Sequence, residues 1–363
     1  MNQNMTALTA AGVSVWLDDL SRSRIESGNL KSLMDEYSVR GVTTNPTIFA
    51  SALKTDAYHS ALRREKELGS STEQAIFNIT TEDVAAACDV FMPVYKSSKG
   101  VDGRVSIEVS PDLAFETQDT VAEAIALHKR VGRENVMIKI PATIPGLAAI
   151  TEVIALGISV NVTLIFSLER YRAVIDAYFS GLERAMANNL PLENIHSVAS
   201  FFVSRVDTEV DKRLASIGRE DLKSRAAVAN AQLAYELFLK EFSSERWQSL
   251  AANGARLQRP LMASTGVKDL ALPDTLYVSE LIAPNLVNTM PEKTLLAFAD
   301  HGKVIGNSIE PNLAAAKQAI SELTAVGVNL DEVTDLLEKE GVEKFVVSWH
   351  ELIASVDDAL KSA

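Results

Sequence analysis

A chain of 363 residues, 47% apolar and 23% charged, can fill a large core and lacks the composition of a disordered or fibrous protein. Its formal net charge of −13, with both signs interspersed, argues against a nucleic-acid partner; an anionic substrate would need a local cationic clamp. One cysteine, Cys88, cannot staple a fold, so it reads as a buried apolar thiol in a reducing compartment.

The first ten residues, MNQNMTALTA, have neither the basic stretch nor the apolar core of a secretory signal. Short β-branched or apolar runs follow at 13–18, 41–44, 104–109, 135–140, 159–164, 197–202, 260–264 and 275–278. Helix-like stretches lie between them, among them 120–131, 168–187 and 222–241. This alternation predicts βαβ units and a parallel sheet, and eight strands predict an α/β fold of the closed (β/α)8 TIM-barrel type. Residues 56–96 have room for two helices, and 206–259 read as a helical insertion rich in Ala, Leu and charge. Further helices are expected near 310–360, where Val342, Phe345, Val346, Trp349 and Ile353 recur at helical spacing. That amphipathic face is expected to pack on the barrel wall. With no internal repeat or linker, 1–363 reads as one domain. The longest uncharged run, 153–168, falls short of the ~18 residues of a membrane span and carries Ser159, Asn161, Thr163 and Ser167. No membrane contact is expected, and the chain reads as cytoplasmic.

Side chains alternate faces along a strand, so each run divides into two sets. In 135–140, Val136, Ile138 and Ile140 suit a helix-facing exterior, leaving Asn135, Met137 and Lys139 opposite. Val105, Ile107 and Val109 likewise oppose Ser106 and Glu108. Val160, Val162 and Leu164 oppose Asn161 and Thr163, and Val13, Val15 and Leu17 oppose Ser14, Trp16 and Asp18. Asp18, Glu108, Lys139 and Thr163 all sit late in their strands, the end where barrel enzymes build active sites. One such group is commonly a satisfied structural one, but burying several together without a function is costly. Lys139, between two isoleucines, is a poor structural choice and a sensible amine nucleophile. Burial frees a lysine lone pair while nearby carboxylates oppose that, and residue order alone does not decide between them. Arg205 follows the sixth strand in SFFVSR and Lys268 the seventh in MASTGVK, which suits an anion clamp. The turn Ser264-Thr265-Gly266 is expected to open a short helix and add backbone N–H donors.

Two segments resemble a known family. GVTTNPTIF, from Gly41 to Phe49, resembles the Thr-Asn-Pro motif of transaldolases, and VMIKIPATIPGLAAITEV, from Val136, resembles their active-site lysine motif. The likeness covers roughly residues 14–290. It implies a circularly permuted relative of the class I aldolase barrels, with Lys139 as the Schiff-base lysine. Asp18 matches the acid–base aspartate; neighbouring Asp19 leaves a one-residue ambiguity, which strand alternation decides for Asp18. Glu108 and Thr163 match a pair that manages a catalytic water. Asn45, Asn161 and Ser200 match groups that hold the dihydroxyacetone part of the substrate, and Arg205 matches a phosphate-binding residue. Lys268 departs from the second arginine that many members carry, and Ser264 is aligned only loosely. The C-terminal helix resembles one that crosses the barrel mouth in this family, which is at odds with the wall packing that its spacing suggests.

The implied reaction moves dihydroxyacetone from sedoheptulose 7-phosphate to glyceraldehyde 3-phosphate, giving erythrose 4-phosphate and fructose 6-phosphate. The partners are then sugar phosphates, and the chain is a monomer or homodimer. No metal or organic cofactor is implied, because the protonated imine is the electron sink; the five histidines show no close ligand spacing. The family also contains fructose-6-phosphate aldolases. These carry glutamine at the place of Glu108 and tyrosine at the place of Phe202, so both positions favour the transferase. A catalytically inactive barrel acting as a binding protein is the alternative of another class.

Overall fold

The structure, a computed structural model, describes residues 1–362. Eight strands close into one parallel barrel in the order β1 to β8. They are β1 Val13–Leu17, β2 Val39–Val42, β3 Arg104–Glu108, β4 Val136–Pro141, β5 Val160–Ile165, β6 Ser197–Phe202, β7 Gln258–Ala263 and β8 Leu286–Met290. Every residue of β4, β5 and β6 is buried, as expected of parallel strands covered on both faces. In each of these strands one set of side chains faces the helices while the other fills the barrel.

Trp16 shows how tightly that interior is packed. It is fully buried opposite Gly41 in the β1–β2 register, and a Cβ on Gly41 would lie 2.6 Å from its ring. A glycine is therefore required at the head of the GVTTNP segment.

Four expectations need correction. Residues 275–278 do not form the eighth strand; Leu276–Ser279 is a turn of helix, pinned by Tyr277 donating to Asp207 Oδ2 at 2.8 Å. The true β8 has a polar centre, Asn288 and Thr289, so it lacks the greasy run that marks the others. The turn Ser264-Thr265-Gly266 opens no helix; irregular chain follows it as far as Thr275. Leu164 breaks the β5 alternation: it adopts φ 61°, where the β5–β6 register shifts. Its side chain turns toward the C-terminal helix, 3.0 Å from where a Cβ on Gly341 would stand.

The fourth correction concerns that helix, Leu330–Ser362. Instead of lying on the barrel wall, as its spacing suggested, it crosses the mouth, as the family resemblance implies, packing on β5 and on the helices Pro46–Ala52, Thr72–Ser97 and Ser204–Ser216. Arg170–Glu338 at 3.3 Å, Thr47–Ser348 at 2.8 Å and His350–Asp112 at 3.1 Å fasten it along its length. Apolar contact supplies the bulk of the attachment: Val342, Phe345, Leu352 and Val356 are all buried.

Residues 56–96 hold the two expected helices, His59–Glu67 and most of Thr72–Ser97, the latter burying Cys88. The helices Ser204–Ser216, Ala226–Glu241 and Glu245–Ala252 occupy the stretch between β6 and β7. Ala226–Glu241 packs against Leu313–Ala325. Among the described residues no helix is long and apolar enough to cross a membrane.

Candidate active site

Sheet register brings the central groups together. Glu108, Lys139 and Asn161 are paired neighbours across β3, β4 and β5. The Lys139 side chain is 5% exposed; its Nζ donates to Thr44 O at 2.9 Å and to Glu108 Oε2 at 3.4 Å. The Phe345 ring of the C-terminal helix lies 5.6 Å from the same Nζ and covers it. Thr44 is held in turn by donating its hydroxyl to Ser106 O at 2.8 Å.

Burial pushes the Glu108 carboxyl up to about 7; Lys139 opposes the rise and Asp18 adds to it. A carboxyl poised there can both take and give a proton near neutral pH. Its second oxygen, Oε1, and Thr163 Oγ1 on β5 are buried and have no partner within the protein.

Asp18 follows β1 directly and accepts a hydrogen bond from Thr43 Oγ1 at 2.7 Å. Thr43 shares a second 2.7 Å contact with Thr289 of β8. Burial raises the Asp18 carboxyl above its ordinary range, while Lys139 and the Thr43 hydrogen bond hold it down. Asp19 points elsewhere: it pairs with Arg24 at 2.6 Å and is 36% exposed. Of the two aspartates, Asp18 is the one that lines the cavity at the mouth.

Asp18, Asn45, Lys139, Thr163, Ser200, Phe202, Arg205 and Ser264 all line one cavity of ≈ 450 Å³ at the mouth. Glu108 lines an adjoining cavity of ≈ 880 Å³, and Asn45 borders both. Asn45 Oδ1 caps the helix Pro46–Ala52 by accepting from Ile48 N at 3.0 Å, leaving its amide N–H groups for other partners. Asn161 is not on the cavity wall. Its amide is engaged on both sides, donating to Ser106 Oγ at 3.0 Å and accepting from Ser200 Oγ at 2.7 Å. It therefore orients Ser200.

The cations gather on one side of the mouth. The Arg205 guanidinium sits 5.2 Å from the Phe202 ring, and its Nη1 is buried without a partner within the protein. Arg205 lies in the first turn of Ser204–Ser216, whose N-terminal end favours an anion. Ser264, at φ 54°, contacts the Ser204 hydroxyl at 2.9 Å. Lys268 does not line the cavity. Burial, then the charges of Arg205 and Lys344, push its ammonium down, so the three cations share one region.

Thr43, Thr289, Phe345 and Lys344 were missed from sequence. Thr43 was accessible, since it alternates with Gly41 beside the Thr-Asn-Pro segment. Phe345 and Lys344 reach the mouth on the crossing helix, whose path the resemblance implies but residue spacing alone does not announce. Among the described residues no cluster of three or more His, Cys, Asp or Glu is placed to hold a metal ion.

Along nearly its whole length the chain is similar to one family of known proteins. The profile described as Transaldolase/Fructose-6-phosphate aldolase matches residues 15–356. A protein of Renibacterium salmoninarum named Transaldolase is 59% identical over 367 residues, spanning 100% of this chain and 98% of its own. Proteins of the same name from an Arthrobacter species and from Saccharopolyspora erythraea are 56% and 55% identical, covering 98% and 100% of this chain and 97% and 99% of their own. With a buried amine at a barrel mouth and likeness along nearly its whole length, the chain belongs to the transaldolase/fructose-6-phosphate aldolase family.

Proposed function

We propose that Lys139 carries a dihydroxyacetone unit as a Schiff base between sugar phosphates, making the chain a transaldolase of sedoheptulose 7-phosphate and glyceraldehyde 3-phosphate. The observation that carries this reading is the Lys139 amine, held at 2.9 Å and 3.4 Å by Thr44 O and Glu108 Oε2 beneath a covering Phe345 ring.

The neutral amine attacks the C2 carbonyl carbon of the ketose, and the carbinolamine loses water to give a protonated imine. Glu108, near neutrality in pKa, supplies and recovers the protons of these steps, with Thr163 orienting the water between them. Asp18 then takes the C4 hydroxyl proton. The C3–C4 bond breaks, its electron pair flows into the imine to form an enamine, and erythrose 4-phosphate leaves. The enamine carbon attacks the aldehyde of glyceraldehyde 3-phosphate, and Asp18 returns its proton to the new alkoxide. Hydrolysis of the imine frees fructose 6-phosphate and the lysine.

Asn45 and Ser200 would hold the dihydroxyacetone hydroxyls, with Asn161 positioning Ser200. Arg205, with Lys268 and Lys344 behind it, would hold the phosphate, and Ser264 closes that end. The proposed location is the cytoplasm, consistent with Cys88 as a buried free thiol.

The test supplies fructose 6-phosphate with and without erythrose 4-phosphate and follows sedoheptulose 7-phosphate and free dihydroxyacetone. Transfer should far exceed release. Release at the rate of transfer would replace this reading with an aldolase, and no turnover of either kind would leave a binding protein.

A further inference from the structure

At the end of the barrel opposite the mouth, three arginines converge on a further cavity, of ≈ 870 Å³. Arg104 opens β3, and Arg259 is the second residue of β7, so both stand at the N-terminal ends of their strands. Arg256 comes from the turn that leads into β7. Met137 lies on the same wall, two residues before Lys139 on β4, which sets this cavity at the far side of the barrel interior from the amine.

Arg104 is the telling residue. It is 1% exposed, yet it forms no ion pair among the described residues. Its Nε donates to Gly100 O at 2.8 Å and its Nη1 to Glu134 O at 3.2 Å, while Nη2 is buried with no partner within the protein. Stacking on Tyr95, at 4.9 Å, holds the guanidinium plane without neutralising it. A purely structural arginine would use Nη2 or exchange its charge for a neutral donor. Arg256 contributes one long contact, Nε to Glu193 O at 3.5 Å. Among the described residues, Asp102 is the one carboxylate paired with any of the three, 2.9 Å from Arg259 Nη2, and it also accepts from Ser14 at 2.6 Å. His196, on the same wall, is held neutral: burial and the three guanidinium charges push its imidazole down to about 2. The local field is therefore strongly positive in a chain whose net charge is −13.

We propose that this basal cavity binds a phosphoryl dianion, clamped by Arg104, Arg256 and Arg259, at a site separate from the catalytic mouth. Guanidinium groups suit the job because their planar forks match phosphate oxygens, and burial strengthens each charge-assisted bond. The Trp247 indole on the cavity wall offers an apolar surface for the body of a phosphorylated metabolite.

The test titrates the full-length Arg205→Gln chain by calorimetry with inorganic phosphate and with adenosine 5′-monophosphate, so that the mouth contributes no arginine. About one equivalent should still bind. Adding Arg256→Gln, at a half-buried residue, should weaken it by about tenfold or more while leaving the circular dichroism unchanged. Tighter binding of the monophosphate would identify a phosphorylated metabolite as the source, and equal binding would identify free phosphate. Absence of binding by both probes in the Arg205→Gln chain, or an affinity unmoved by Arg256→Gln, overturns the proposal.

Discussion

Replacing Glu108 with glutamine removes a charge that the fold pays to hold. Burial carries this carboxyl from 4.5 to about 7. At about 1.4 kcal/mol for each tenfold change in proton affinity, ionising it in place costs roughly 3 kcal/mol. The sign follows from proton counts. Below pH 4.5 the carboxyl is neutral in both the folded and the unfolded chain, so it contributes no penalty. Between 4.5 and about 7 the unfolded chain has released the proton and the folded chain has kept it, so stability falls as pH rises. Above that window both forms are ionised and the penalty is constant. Glutamine does not titrate. The stability of Glu108→Gln relative to the parent should therefore climb by about 3 kcal/mol across the window and then level off. Urea unfolding of both chains at matched pH values measures it. Parallel pH profiles would refute the claim that burial dominates at this site. In the same variant, which takes the glutamine that the resemblance assigns to the aldolases of the family, product should shift from transfer toward free dihydroxyacetone; an unchanged ratio would remove Glu108 from the handling of water.

Two further outcomes bear on the remaining groups. Arg205→Gln should raise KM for phosphorylated acceptors about tenfold or more, with kcat changed far less and glyceraldehyde used as before, because one charge-assisted bond is lost; an equal loss with the unphosphorylated acceptor would place Arg205 outside the phosphate contact. Thr43→Val deletes the hydrogen bond that holds the Asp18 carboxyl down, so the acidic limb of the kcat/KM profile should move to higher pH. A limb that stays in place would show that another group governs it.

How far the sequence carried depended on how local each signal was. Alternation along β1, β3, β4 and β5 separated Asp18, Glu108, Lys139 and Thr163 from their apolar neighbours, and the barrel places three of them on the cavity wall with Glu108 directly beside Lys139. The same rule failed at Leu164, where a left-handed residue redirects the side chain toward Gly341. It also failed for β8, whose Asn288 is committed inside the barrel, accepting from Thr265 at 3.0 Å, and so gives no apolar run to read. A run such as 275–278, rich in Thr, Leu, Tyr and Val, looked like a strand because propensity ignores the Tyr277–Asp207 hydrogen bond that winds it. The amphipathic face around Phe345 was plain from spacing, but spacing says only that a face is buried, not whether a wall or a mouth buries it. Lys344 joined the cations for the same reason, carried there by a helix whose path is a tertiary matter.

The central claim, that the buried amine of β4 captures a ketone carbon, is tested most directly by borohydride reduction in the presence of fructose 6-phosphate. Mass mapping of the digested chain should find a reduced dihydroxyacetone adduct on the peptide containing Lys139, with transfer activity lost in proportion. Activity lost while that peptide remains unmodified, or an adduct on a different lysine, would contradict the account.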